Sequence, residues 1–150
     1  MFTGPESQPY TSGFVEAARI EHLKMIQGVI NRLATCSFQL KGWVVTLAAA
    51  LQVFLKGEAN PAYLFVPALP VIAFWFLDGW YLRQERLFRR LYDNVRGEEA
   101  TADFSMDTQP FRKAVGSVMK VTFSRTLLLF YGPVLIVLLL LESLLLHKAR

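Results

Sequence analysis

Apolar residues fall in three long blocks along the chain, whereas most charged residues lie between the blocks. The blocks run from about 38 to 55, 62 to 82 and 121 to 146, and a helix that crosses a bilayer needs roughly 20 mostly apolar residues. The third block, which is rich in leucine, gives the strongest signal. A short turn with Gly57 and Pro61 joins the first two blocks, so we expect these two to form a tight helical hairpin.

Amphipathic segments extend both arms of this hairpin. Apolar residues recur at steps of three and four in 14–33 and again in 81–96, a spacing that is typical of helices with one apolar face. Ser12 precedes the first of these helices as a candidate N-cap. Because no polar stop separates either segment from its membrane block, we expect each arm to continue as one helix out of the membrane.

The two arms match each other in one register. If facing residue numbers add up to roughly 117, Ile30 meets Phe88 and Ile26 meets Leu91, so apolar side chains face apolar side chains. The same register brings opposite charges together, which predicts an antiparallel coiled coil beneath the membrane. The predicted charge pairs are Arg32 with Glu85, Lys24 with Asp93, and Glu21 with Arg96.

These patterns together predict an all-α integral membrane protein with three transmembrane helices. Its first two spans form a hairpin that extends into a cytoplasmic coiled coil, and an interfacial helix, beginning at Thr108 and Pro110, precedes the third span. The predicted segments are a disordered or extended N-terminus (1–13), a cytoplasmic amphipathic helix (14–37), the transmembrane hairpin (38–82), a cytoplasmic helix, acidic loop and interfacial helix (83–125), the third transmembrane helix (126–146) and an outer tail (147–150).

Charge predicts the orientation of these segments. Thirteen of the 16 Lys and Arg residues lie before the first block, between the second and third, or at the adjoining ends of those blocks (Lys41 and Arg125), and three lie on the other side. The positive-inside rule therefore places the N-terminus and 83–125 in the cytoplasm and the C-terminus outside. The start of the chain lacks the pattern of a cleavable signal peptide. Because the basic residues are interleaved with acidic ones, we expect no nucleic-acid partner.

Ionisable and helix-breaking residues inside the blocks are the candidate pore or gate residues. Lys41 and Asp78 lie at similar depth, and their pairing would offset much of the roughly 2.5–3.5 kcal/mol that a charge costs at mid-membrane. A structural clasp is the favoured interpretation of this pair, and a gate is the alternative. Glu142 either reaches the outer interface or contributes to a ring of carboxylates at a cation-selective mouth. Pro133, like Pro67 and Pro70, is expected to kink its helix.

Four arginines on the second arm form a candidate docking surface for a signal or a partner. Arginine side chains bind phosphate or carboxylate groups well, although a solvated helix face with salt bridges inside the coil is the favoured interpretation. These residues are Arg83, Arg86, Arg89 and Arg90.

The chain has none of the usual signatures of an enzyme. With 53% hydrophobic residues and one cysteine, Cys36, it fits neither a disordered chain nor a disulfide scaffold. It carries no phosphate-binding glycine loop and no HExxH, CxxC or GxSxG motif. His22, expected at the surface, and His147 lie on opposite sides of the predicted membrane. We therefore expect no catalytic site, no metal and no cofactor.

The stretch from Glu21 to Arg96 resembles small multi-span membrane effectors of bacterial anti-phage (abortive-infection) operons, including the SLATT-type proteins. The resemblance rests on the amphipathic helix EHLKMIQGVINRLA, a hairpin, and FWFLDGWYLRQERLFRRLYDNVR. It implies a homo-oligomer in the bacterial inner membrane that perturbs or opens the membrane on a signal. The implied partner is an operon-encoded cytoplasmic signalling or TIR-type protein.

Two functions follow as expectations. The first is an oligomeric, signal-gated effector or channel, which requires several copies because three short spans cannot enclose a water path. The alternative is a non-conducting membrane anchor or adaptor for a cytoplasmic partner. In a channel, Glu142→Gln should alter ion selectivity or toxicity. In an adaptor, neutralising Glu142 or Asp78 should leave function intact, whereas changes at the cytoplasmic arginines should abolish it.

Overall fold

A computed structural model describes residues 9–55, 63, 65–97 and 103–148, and the regular elements among them are all helical. The predicted hairpin turn with Gly57 and Pro61, the acidic residues Glu98 and Glu99, and the chain before residue 9 lie outside the described residues. The helices are α1 (Pro9–Phe54), α2 (Ala68–Arg96), α3 (Arg112–Val115), α4 (Val118–Thr122) and α5 (Arg125–Lys148), with a 3₁₀ turn at Gln109–Phe111.

The long helices α1 and α2 pack against each other as an antiparallel hairpin, so the all-α class and the hairpin are confirmed. Beyond the level of Lys41 and Asp78, towards the start of α1 and the end of α2, Ile26 and Ile30 are buried against Leu91 and Val95, with Phe88 packed beside them. These are the apolar partners that the predicted register brings together. The apolar seam therefore decides how the two arms align.

The charge pairs predicted across this seam are wrong. Glu85 accepts from Arg89 at 2.7 Å, one turn along the same helix. Residues of the other two predicted pairs also find partners within their own helices: Lys24 pairs with Glu21 at 2.7 Å, and Arg96 pairs with Asp93 at 3.9 Å. Side chains three or four residues apart are neighbours on a helix surface, so these groups find partners without crossing the seam.

Several predicted helix boundaries and kinks also need correction. α1 begins at Pro9, so Ser12 lies inside the helix and is not its N-cap. Pro67 is the residue before α2 and Pro70 lies in its first turn, where proline's missing N–H has no intrahelical partner to lose. These prolines therefore begin the helix and do not kink it. Pro133 lies within α5, which runs unbroken from Arg125 to Lys148.

The predicted interfacial helix is broken into short pieces. The 3₁₀ turn begins after Thr108 with Pro110 in its first positions, as expected. α3 then ends at Gly116, whose φ of +85° suits glycine. Ser117 is the N-cap of α4, and its side chain accepts a hydrogen bond from the Lys120 backbone N–H. The glycine and the serine together turn one amphipathic stretch into two short helices.

A second apolar core joins α1, α2 and α5. Its buried residues are Val44, Ala48, Val71, Leu127, Tyr131 and Leu138. The outward surfaces of the same helices are also apolar, with Phe38 77%, Phe54 83% and Leu129 80% exposed. One helix, α5, contains a stretch long and apolar enough by itself to cross a membrane, Arg125–Leu144. The spans predicted on α1 and α2 do not meet that criterion among the described residues, and they stay predictions.

Candidate functional site

Asp78 of α2 lies at the centre of a polar cluster where three helices meet. Its side chain is fully buried. One carboxylate oxygen accepts from Ser37 Oγ at 2.5 Å. The other accepts from Lys41 Nζ at 2.5 Å and from Tyr131 OH at 3.2 Å. A buried charge with three donors from α1 and α5 is fully compensated, as burial requires.

Lys41 provides the opposite charge, and the predicted Lys41–Asp78 pair is present. Its ammonium group also donates to Ser37 Oγ at 2.9 Å and to the Ser37 carbonyl at 3.3 Å. The Nζ atom lies 5.8 Å from the ring centroid of Phe130, within the range of a cation–π contact. The lysine head group is thus held by α1, α2 and α5. This geometry is that of a clasp between helices; a role in gating stays a prediction.

An aromatic wall closes one side of the cluster. Tyr131 stacks on Trp75, with ring centroids 5.8 Å apart and planes 8° apart. Trp75 Nε1 donates to the Thr122 carbonyl at 2.9 Å, and Phe123 packs edge-on against the same indole. The stack links α2 to both α4 and α5. It therefore ties the segment before α5 to the level of Asp78.

Gly79, the residue after Asp78, allows α4 to lie directly against α2. A Cβ atom at this position would stand 2.1 Å from Thr122 Oγ1 and 3.0 Å from the Thr122 Cα. One turn further down α2, Arg83 Nε donates to the Gly116 carbonyl at 2.8 Å. The chain from 116 to 122 is therefore fixed along α2 at both ends.

A second polar level lies three turns away, at the hairpin end of the bundle. This level is formed by Gln52 of α1 and Glu142 of α5, which follow Lys41 and Tyr131 by eleven residues each. Eleven helical residues make about three turns and roughly 16.5 Å of rise, so Gln52 and Glu142 lie on the same helix faces as Lys41 and Tyr131.

Glu142 is buried at this second level, with 3% of its surface exposed. Among the described residues, neither its Oε1 atom nor the buried Nε2 atom of Gln52 has a hydrogen-bond partner. The carboxyl group thus faces the interior of its own bundle, on the same face of α5 as Leu138 and Tyr131. Its predicted place in a ring of carboxylates stays a prediction.

The four candidate docking arginines do not form one site. Arg83 is held by the Gly116 carbonyl and Arg89 by Glu85. Arg86 is half-buried and Arg90 is exposed. A groove of about 310 Å³ lies between α1 and α2, and Arg89 is the one of the four that lines it. The other lining residues are Gln27, Ile30, Asn31, Ala34, Tyr92 and Asp93.

His22 is fully buried, contrary to the surface position expected for it. Its Nε2 atom lies 3.0 Å from the Ser105 carbonyl, and its ring packs against Phe104 with centroids 5.5 Å apart. The four-residue spacing of His22, Ile26 and Ile30 is the sequence signal for this position, because it continues the buried stripe of α1. His22 thus attaches the loop after α2 to α1.

Three residues that contact Asp78 or its partners are not among the site residues predicted from the sequence: Ser37, Trp75 and Tyr131. Ser37 has a signal in the sequence, since it precedes Lys41 by one helical turn. Tyr131 has none, because local periodicity does not show which face of the hairpin α5 covers.

The described residues include no group of three or more His, Cys, Asp or Glu side chains placed to hold a metal ion.

The chain has no match among protein-family models, curated proteins or solved structures.

Proposed function

We propose that this chain is an integral protein of the bacterial inner membrane that anchors a cytoplasmic helical hairpin and presents it to a partner protein. Three helices span the bilayer, with the N-terminus in the cytoplasm and the C-terminus outside. Ala48 in the last third of α1, Val71 near the start of α2 and Leu138 in the second half of α5 belong to one core, as three spans in this orientation require. This arrangement agrees with the distribution of basic residues.

The observation that carries the proposal is the contrast between the interior and the surface of the bundle. Lys41 and Asp78 are paired inside, while large apolar side chains cover the outside. Even the exposed hydroxyls of Thr46 and Ser143 donate to carbonyls of their own helices. A lipid environment requires polar groups to be satisfied internally in this way. A surface of this kind suits contact with lipid and not the lining of a water path.

The cytoplasmic hairpin supplies the docking surface. It extends away from the charged level along the seam of Ile26 and Leu91, and the groove that Arg89 and Asp93 line is open on its side. Arg90 is exposed on the same arm. The resemblance to anti-phage effectors suggests an operon-encoded signalling or TIR-type protein as the partner.

A second candidate, an oligomeric effector or channel, is favoured by Glu142. A buried carboxyl group without a partner among the described residues is costly within a membrane, and such residues are functional candidates by default. In this function several copies assemble, and a signal from the partner repacks α5 so that Glu142 reaches an aqueous path.

Conductance of the purified protein in planar bilayers separates the two functions. The anchor predicts no current above the protein-free bilayer over a wide range of protein-to-lipid ratios. A current whose cation selectivity changes in Glu142→Gln, but not in the neighbouring variant Ser143→Ala, would support the channel and contradict the anchor.

A further inference from the structure

Two cationic side chains converge on the bend between α3 and α4. From α2, Arg83 Nε donates to the Gly116 carbonyl at 2.8 Å. From α4, the side chain of Lys120 folds back over the same residue, with its Cδ atom 3.2 Å from where a Gly116 Cβ would stand. Arg112 and Lys113, both exposed, occupy the last turn before the bend. Two basic side chains therefore reach this backbone turn, and two more lie on the helical turn that precedes it.

No described carboxylate balances these charges. The chain has no acidic residue between Asp107 and Glu142. The ion pairs among the described residues involve other basic groups. Asp103 and Asp107 accept backbone N–H groups of their own loop. Like charges brought together repel each other, so this bend favours an anion from outside the chain.

Exposed apolar side chains lie immediately beside this cationic bend. Met119 is 53% and Phe123 50% exposed, and Phe123 packs edge-on against the exposed Phe76 of α2. The bend is also separated only by α4, which packs on Gly79, from α5, the helix that is long and apolar enough to cross a membrane. A small soluble anion has no apolar part that could contact these side chains. A phospholipid has a phosphate for the cations and acyl chains for the apolar residues.

We propose that the Gly116 bend is a binding site for an anionic phospholipid of the inner leaflet. Lys120 and Arg83 hold the headgroup phosphate from two sides, with Arg112 and Lys113 adjacent, and Met119 and Phe123 contact the acyl chains. The site rests on the proposed membrane location. In this proposal the bound lipid positions α4 together with the contact between α4 and Gly79.

Thermal unfolding of the full chain in neutral detergent tests this site. Added phosphatidylglycerol should raise the unfolding midpoint in a saturable manner, whereas phosphatidylcholine and inorganic phosphate should not. The double variant Arg112→Gln/Lys120→Gln should weaken the apparent affinity for phosphatidylglycerol by about ten-fold or more. The matched variant Lys24→Gln/Arg90→Gln loses the same two residue types on the distal hairpin and should bind as the wild type does.

The proposal is overturned if both lipids stabilise equally, if inorganic phosphate alone reproduces the effect, or if both double variants lose affinity to the same extent. Should the first double variant fail to fold, Lys120→Gln alone, at an exposed position, should show a smaller loss in the same direction. A wrong membrane location would appear separately, as a chain that purifies without detergent.

Discussion

Gly79 of α2 and Thr122 of α4 are in direct contact, because the glycine has no Cβ atom to keep the two helices apart. The contact brings Thr122 beside Trp75, whose indole N–H donates to the Thr122 carbonyl. The start of α5 is in this way fixed at the level of the buried Asp78. Gly79 thus contributes to the placement of the third long helix, together with the contacts of Tyr131.

Substitution Gly79→Ala should therefore destabilise the bundle. The added methyl group would stand 2.1 Å from Thr122 Oγ1, and overpacking of this kind costs roughly 1–3 kcal/mol. Gly42→Ala is the matched control on α1, since a Cβ there meets nothing within 4 Å and alanine favours a helix by about 1 kcal/mol. Chemical unfolding in detergent should show a lower free energy of unfolding for Gly79→Ala only. Equal effects would contradict the close contact.

The Lys41–Asp78 pair should show strong coupling in a double-mutant cycle. Lys41→Met or Asp78→Leu alone leaves one buried charge without its partner, which costs roughly 3–5 kcal/mol. The double variant should recover a large part of that loss, because neither charge remains. The exposed pair of Lys24 and Glu21 is the control, and its coupling should stay below about 1 kcal/mol. Additive losses at Lys41 and Asp78 would show that the clasp contributes little.

Substitution Glu142→Gln should leave the free energy of unfolding unchanged or raise it by about 1 kcal/mol or more. The side chain is 3% exposed and its Oε1 atom has no partner among the described residues, so the neutral amide avoids the cost of burying a charge. Ser143→Ala, next to it on the exposed side of α5, should have little effect. A marked destabilisation by Glu142→Gln alone would mean that the carboxylate has a stabilising partner.

Substitution His22→Ala should release the loop that follows α2. The ring contacts Phe104 and its Nε2 atom lies at hydrogen-bond distance from the Ser105 carbonyl, so its loss removes two of the contacts that hold this loop against α1. Hydrogen exchange should rise for backbone amides of 103–111 while those near Val44 stay protected. The control Lys24→Ala, at an exposed position nearby, should change neither region.

The hairpin was predictable because its register depends on apolar spacing alone. Burial of Ile26, Ile30 and Leu91 decides the alignment, and every helical turn repeats the same signal. The pair of Lys41 and Asp78 followed from that register. The exposed charge pairs did not follow from it, because the free energies of alternative ion pairs at the surface differ by less than about 1 kcal/mol.

The rest of the site depends on how distant segments meet. Tyr131 reaches Asp78 only because α5 covers one particular face of the hairpin, and no local pattern specifies that face. His22 is buried by a loop more than 80 residues away along the chain. The break at Gly116 was missed because the apolar spacing continues through it, although the backbone turns there with a positive φ. These features depend on tertiary contacts and not on periodicity.

The central claim, that three helices cross the membrane with the hairpin arms in the cytoplasm, is tested most directly by two-sided cysteine labelling. In a Cys36→Ser background, single cysteines at positions 24, 90, 58 and 147 are exposed to a membrane-impermeant maleimide before and after the cells are opened. The account predicts that positions 58 and 147 are labelled in intact cells, whereas 24 and 90 are labelled only after opening. Labelling of 58 and 147 from opposite sides, or of 24 and 90 in intact cells, would contradict it.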